Sequence, residues 1–426
     1  MGYWSSTALV TGNMIGSGIF LLPSTLAIYG GISLIGWICS SIGAILLAII
    51  FGNLAKIAPK TTGGPYAYTK LGLGNFFGYL VAWGYWVSIW CTNAAIAVAF
   101  VGYLQVFLPF LETNTSACIF FGLAVIWFFT WINSNPIKTV AAIQVLTTVL
   151  KLAPILAVGF IGILYINLDH FIVFNLSEET NFSAITITTT ATLFAFLGME
   201  SAAIASASTK NAEKTIKKAT ITGTLITIFA YLLSSIAIMG IIPMDQLAKS
   251  NAPFADAASL FWGPAAGYIV AAGAIIATLG ALNGWILIQG KIPMAAAQDN
   301  LFSKVFKKTN KNNTPILGIV LSSILASIVM GLRFSESLVS TFTFMMNLST
   351  LSVITPYLLS AVSLILLLKA KKSNTNRLKI LTAILVIGFC IWVIFGSGTE
   401  VIIWGVFLLL IGIPFYFGIK RNNKKR

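Results

Sequence analysis

About twelve times along this chain an apolar run of roughly eighteen residues or more gives way to a short polar break. The runs cover roughly 3–29, 31–56, 75–105, 116–134, 138–167, 184–209, 219–243, 264–298, 314–333, 339–368, 379–396 and 400–419. Lipid offers no partner to a backbone N–H or C=O, so a spanning segment must satisfy them itself, as a helix does. With 58% of residues hydrophobic and 9% charged, the expected fold is an all-α polytopic membrane protein. The formal charge of +15 is spread over short loops and is no nucleic-acid footprint. Cys39, Cys91, Cys118 and Cys390 lie in apolar runs without ligand spacing, and His170 stands alone. Neither a metal site nor a disulfide framework is expected. No phosphate-binding glycine motif ends in Lys-Ser or Lys-Thr, so no nucleotide cofactor is expected either.

The loops give the orientation. Lys56, Lys60, Lys70, Lys138, Lys210, Lys214, Lys217, Lys218, Lys304, Lys307, Lys308 and Lys311 fall on one side if the spans alternate. So do Lys369, Lys371, Lys372, Arg377, Lys379 and the tail residues Lys420, Arg421, Lys424, Lys425 and Arg426. The opposite loops hold Lys249 and Arg333 beside the acids Glu112, Asp169, Glu178, Glu179, Asp245, Asp256, Glu336 and Glu400. The positive-inside rule then places both termini in the cytoplasm, with the chain in the cytoplasmic membrane.

The first run contains Gly12-Asn13-Met14-Ile15-Gly16-Ser17-Gly18-Ile19-Phe20. Glycines at mid-membrane disfavour helix and leave backbone uncovered. Two readings stand: close helix packing through small residues, or a broken helix whose second half starts near Ile19. In the second case the N–H groups of Gly16, Ser17 and Gly18 would face an anionic group such as a carboxylate. The sixth run repeats the oddity, with Gly198 and Glu200 in Phe194-Ala195-Phe196-Leu197-Gly198-Met199-Glu200-Ser201. Runs one and six hold matching places in two five-span halves, as in inverted-repeat transporters. The expected division is a transport core over 1–370, with repeats 1–168 and 184–370, and two further helices with a basic tail over 371–426. Pro154, Pro293 and Pro356 lie within spans, where kinks are expected.

Several segments together resemble the amino acid–polyamine–organocation transporters. They are Gly12 through Pro23, Gly63-Gly64-Pro65-Tyr66-Ala67-Tyr68, Phe196 through Ala202, Gly284-Trp285 and Pro356-Tyr357. The chain is most similar to the basic amino acid/polyamine branch, which includes arginine/agmatine and ornithine/putrescine antiporters. The resemblance implies a five-plus-five inverted repeat shared with the bacterial leucine/sodium symporter, with helices one and six broken. It also implies that Ser17 and the Gly18 N–H meet a substrate carboxylate, and that carbonyls near Met14, Phe194 and Leu197 meet its ammonium. The substrate side chain would be bordered by Tyr85, Ser88, Ile89, Asn93, Trp285, Ser349 and Tyr357, with Trp285 stacking on a cation. The family leaves both monomers and homodimers open.

Two residues depart from the arginine antiporter. Phe194 replaces a gating tryptophan, keeping an apolar plate but losing the indole N–H. Lys151 replaces a small apolar residue in span five, as in proton-coupled members of the superfamily. It reads either as a titrating cation, with protons as coupling partner, or as a fixed structural one bonded to carbonyls. Glu200 reads either as a coupling element or as a partner for unwound backbone. Asn13 reads as structural, capping a half-helix or bonding a carbonyl. Asp299 reads as solvated or paired with a nearby lysine.

The functional expectation is a secondary transporter of an amino acid or polyamine: an importer coupled to protons, or an exchanger of a basic amino acid for its amine. A sensor on the same fold would need a signalling extension, for which the tails leave no room. An enzyme would need a nucleophile and base or paired acids at one depth. One deep acid and one deep lysine supply no such set.

Overall fold

The computed structural model describes residues 2–59, 63–134, 151–204, 209, 211–311, 313–334, 337–370 and 377–424. The side chains of Ser17, Arg333 and 422–424 are also outside that description. So are Lys60, Lys138, Lys210, Glu336, Lys371, Lys372, Lys425, Arg426 and the first half of span five.

Among the described residues the chain is helical throughout. The first span is two helices, α1 (Tyr3–Met14) and α2 (Ser17–Ala27), bent by 40° at the break between them. Then follow α3 (Ser33–Ile57), α4 (Pro65–Leu73), α5 (Asn75–Gln105) and α6 (Thr115–Asn133). The described part of span five is α7 (Lys151–Tyr165). Span six is α8 (Asn181–Leu193), a 3-10 turn (Phe194–Phe196) and the short α9 (Ser201–Ile204). The rest comprises α10 (Ala212–Ile241), α11 (Met244–Leu247), α12 (Pro253–Trp262), α13 (Pro264–Gln298) and α14 (Ile316–Arg333). The chain closes with α15 (Leu338–Ala370), α16 (Arg377–Phe395) and α17 (Thr399–Lys424).

Eight of these are long and apolar enough to cross a membrane alone, and the α1–α2 pair does so as one bent span. This is a multi-pass membrane protein. Helices α13 and α15 run on past Pro293 and Pro356. Helix starts use ordinary chemistry: Asn114 accepts from the Ala117 N–H to cap α6, and Thr180 accepts from the Ser183 N–H to cap α8.

Burial sorts the helices into layers. In the most apolar window of α5, 89% is buried, against 11% in α17. Helix α5 is therefore the central post and α17 an outer one. Against α5 pack α15 and α13, while α3, α8 and α10 form a second group behind α1. The Trp83 indole N–H donates to the Leu408 carbonyl, and the Tyr79 hydroxyl to that of Gly412, which fastens α17 to the post.

Candidate functional site: two helix breaks around a cleft

The two interrupted spans meet. After Met14 the chain turns extended at Ile15 and Gly16, and α2 begins at Ser17. In span six the helix tightens at Phe194–Phe196, turns extended at Leu197 and takes φ +101° at Gly198. Only glycine adopts that conformation without strain. A methyl group on Gly198 would also lie 3.1 Å from the Asn13 carbonyl carbon, and one on Gly18 would lie 3.1 Å from the Ala195 Cα. The sequence thus spends its glycines where two backbones touch.

Between the breaks is a small, narrow cleft lined by Asn13, Met14, Gly16, Gly18, Thr92, Ile96, Phe194, Leu197 and Trp285. Every lining residue is buried. Along α2, the Ser24 hydroxyl donates to the Ser250 carbonyl and the Tyr103 hydroxyl to that of Phe20. The Phe254 ring packs 5.2 Å from the Phe20 ring. Lys70 pairs with Asp299 at 3.3 Å. Burial, and then the Asp299 charge, hold the Tyr66 phenol above its usual pKa, so it serves Asp299 as a neutral donor.

Its electrostatics follow from helix ends. The first N–H groups of α2 have no partners in a preceding turn and carry the positive end of its dipole. The carboxyl ends of α1 and α8 bring negative ends to the same space. Such ends favour an anion at the start of α2 and a cation beside the last carbonyls of α1 and α8.

Three side chains hold the breaks. The Tyr231 hydroxyl, on α10, lies 2.7 Å from the Met14 carbonyl and 3.3 Å from that of Ala195, one phenol reaching both spans. The Lys151 ammonium donates to the Gly12 carbonyl at 2.9 Å. The Glu200 carboxylate accepts from the Tyr85 hydroxyl on one oxygen and from the Tyr357 hydroxyl, at 2.9 Å, on the other.

Of the residues singled out in sequence, Met14, Gly18, Phe194, Leu197 and Trp285 line the cleft. The Ser17 side chain lies outside the described residues, though its backbone opens α2. Tyr85 and Tyr357 meet at Glu200 instead. The Ser88 hydroxyl donates to the Tyr85 carbonyl, and that of Ser349 to the Ser88 carbonyl. Ile89 is buried in the core, and the Asn93 amide donates to Gln289. Asn13, read as structural, and Thr92 and Ile96, not singled out, border the space. Nor was Tyr231, a lone phenol in an apolar span. A second lysine, Lys291, lies within α13, so Lys151 is not the single intramembrane lysine that the sequence reading counted.

The model of the amino acid permease family matches residues 1–417. The chain belongs to that family. These permeases are transporters within the amino acid–polyamine–organocation superfamily, not enzymes. The permease is 31% identical to a putative arginine/ornithine antiporter of Bacillus subtilis, over 100% of this chain and 98% of that one. It is 31% identical to a cadaverine/lysine antiporter of Escherichia coli K12, over 100% and 96%. A putrescine transporter of Haemophilus influenzae is 27% identical, over 98% and 96%.

Proposed function

We propose that this permease is a secondary transporter that carries an amino acid across the cytoplasmic membrane by alternating access. The observation that carries the reading is the meeting of two helix breaks across a cleft bordered by Trp285. In it the substrate carboxylate takes the N–H groups at Ser17 and Gly18, and the ammonium takes carbonyls of the Met14, Phe194 and Leu197 turns. Trp285 supplies the face on which a cationic side chain rests, a contact of roughly 0.5–2 kcal/mol. Phe194 covers the substrate. Lys151 and Glu200 act outside the cleft, coupling the breaks to α7, α5 and α15.

The core that moves comprises twelve crossings less the last two. Residues 1–168 and 184–370 form its inverted halves, with both termini in the cytoplasm. Within this class we favour exchange of a basic amino acid for its decarboxylated amine over proton-coupled import. Trp285 in the lining supports that choice, as does the cadaverine/lysine antiporter among the relatives, while the arginine/ornithine antiporter supports exchange of basic amino acids more broadly. Lys151, already occupied by the Gly12 carbonyl, gives import less support.

A thermal-shift screen of the purified protein against amino acids and diamines tests the substrate class, since a ligand of the folded state raises its apparent stability. Stabilisation by a basic amino acid and its amine is expected; no shift with any of them rejects the assignment. Proteoliposomes then separate the modes. Uptake only into vesicles preloaded with substrate marks exchange, and uptake into empty vesicles driven by a pH gradient marks import.

A further inference from the structure

The segment that follows α7 keeps its apolar side chains after it stops crossing the membrane. The Asn167 N–H donates to the Gly240 carbonyl at 2.8 Å, so the chain leaves α7 level with the end of α10. A loop entering water at that level would turn polar. Instead Leu164, Leu168 and Ile172 recur every four residues and are 80%, 76% and 74% exposed. Val173, Phe174 and Leu176 are exposed beyond them. Contiguous apolar exposure on this scale marks a surface that something covers.

The segment is also held in shape. The Asn167 side chain accepts from the Asp169 N–H and caps a 3-10 turn (Leu168–Phe171). Past that turn the Ile32 N–H donates to the Phe174 carbonyl at 2.7 Å, and the Leu176 N–H to the Tyr29 carbonyl at 3.1 Å. These two bonds clamp the segment to the turn just beyond the far end of α2. Gly30, in that turn, takes φ +72°, and a methyl group on it would lie 3.0 Å from the Leu176 Cγ. Glycine alone allows both the conformation and so close an approach.

Two observations say what covers it. The apolar surface continues that of α7, where Phe160, Ile161 and Ile163 are exposed on a helix of a multi-pass membrane protein. At the same level the Tyr165 ring stacks 5.1 Å from that of Phe261, which lies 4.6 Å from that of Trp262. Tyr165 and Trp262 are both exposed, and such amphipathic rings collect at headgroup level. The charged side chains of the segment and its exit are the exposed acids Asp169, Glu178 and Glu179, beside the half-buried His170, so anionic headgroups are not what holds it. We propose that residues 164–176 are an interfacial anchor. Seated among the headgroups and upper acyl chains of zwitterionic phospholipid, it holds the far end of α2 at a fixed depth.

Spin labels on Leu168→Cys and Ile172→Cys test the location in the full-length protein in phosphatidylcholine vesicles, with Glu178→Cys as the polar control. The background carries Cys39→Ser, the other three cysteines being buried. Collision with oxygen should exceed collision with a water-soluble nickel chelate by about three-fold or more at 168 and 172, with the order reversed at 178. Adding phosphatidylglycerol should change neither; insertion that requires it overturns the choice of lipid. Dominance of the chelate at 168 and 172 puts the segment in water, and exclusion of both reagents puts it under protein, such as a second copy. Both results overturn the anchor. Hydrogen exchange in the same vesicles reads the hold on α2. Leu168→Gln/Ile172→Gln should speed exchange at residues 28–33 by about five-fold or more and leave α5 as in wild type. Unchanged exchange at 28–33, or an equal rise in α5, overturns that hold. Ile172→Gln alone decides the matter should the double variant not fold.

Discussion

The Lys151 ammonium lies 2.9 Å from the Gly12 carbonyl oxygen, joining α7 to the last turn of α1 just before that helix breaks. The final carbonyls of a helix have no partner within it. A lysine from another span supplies one here. The contact lies two residues from Met14, which lines the cleft, so it bears on the shape of the cleft as well as on stability.

Lys151→Met removes the donor and leaves a buried carbonyl unpaired, a loss of about 1–3 kcal/mol. The variant should melt earlier than wild type and bind substrate more weakly. Differential scanning fluorimetry with and without ligand measures both; a wild-type midpoint with wild-type affinity would leave the lysine no part at the break.

Gly18→Leu should abolish binding while the protein still inserts and folds. Its side chain would meet the Ala195 backbone and the Phe194 ring, so the clash falls on the meeting of the two spans and not on a lipid-facing surface. Binding by titration calorimetry, with size-exclusion behaviour as the control for folding, decides it. Normal affinity in that variant would remove the α2 amino end as the carboxylate site.

Tyr357→Phe leaves one Glu200 oxygen without its hydroxyl partner. None of Tyr85, Tyr357 or Glu200 lines the cleft. The maximal transport rate should therefore fall by about ten-fold or more, with substrate Kd changed by less than about three-fold. Initial-rate assays in proteoliposomes beside binding measurements separate the two. A rise in Kd that matches the fall in rate would return the tyrosine to the substrate side.

Trp285→Leu should weaken a cationic substrate by about three-fold to twenty-fold more than a neutral one of equal length, as loss of a cation–aromatic contact would. Competition binding with ornithine and norvaline reads that difference. Equal loss of the two would mean that the indole acts only by its bulk.

The breaks were legible because their signal is local. Gly16, Ser17 and Gly18 interrupt an apolar run, as do Gly198 and Glu200; the first run alone leaves close helix packing open, and the recurrence of the oddity in the sixth run favours a break. The rotation of α5 was not legible. Tyr85, Ile89 and Asn93 form one stripe at four-residue spacing, yet the cleft takes Thr92 and Ile96 from the neighbouring stripe, about 60° round the helix. A span that is apolar on every side offers no polar face from which to fix its rotation. Depth was equally hidden: Tyr85 and Tyr357 look like cleft residues until their hydroxyls meet on Glu200. Tyr231 shows the same limit, because its partners Met14 and Ala195 are backbone atoms of two other spans.

That one phenol touches both ruptured spans has a kinetic corollary. A hydroxyl carries a single proton, so it cannot follow two carbonyls that drift apart by more than a hydrogen bond's tolerance. If the two spans part during the proposed transport cycle, Tyr231 releases one carbonyl and keeps the other. A fluorine label on that ring would therefore report, as separate resonances, which of the two segments has stayed behind.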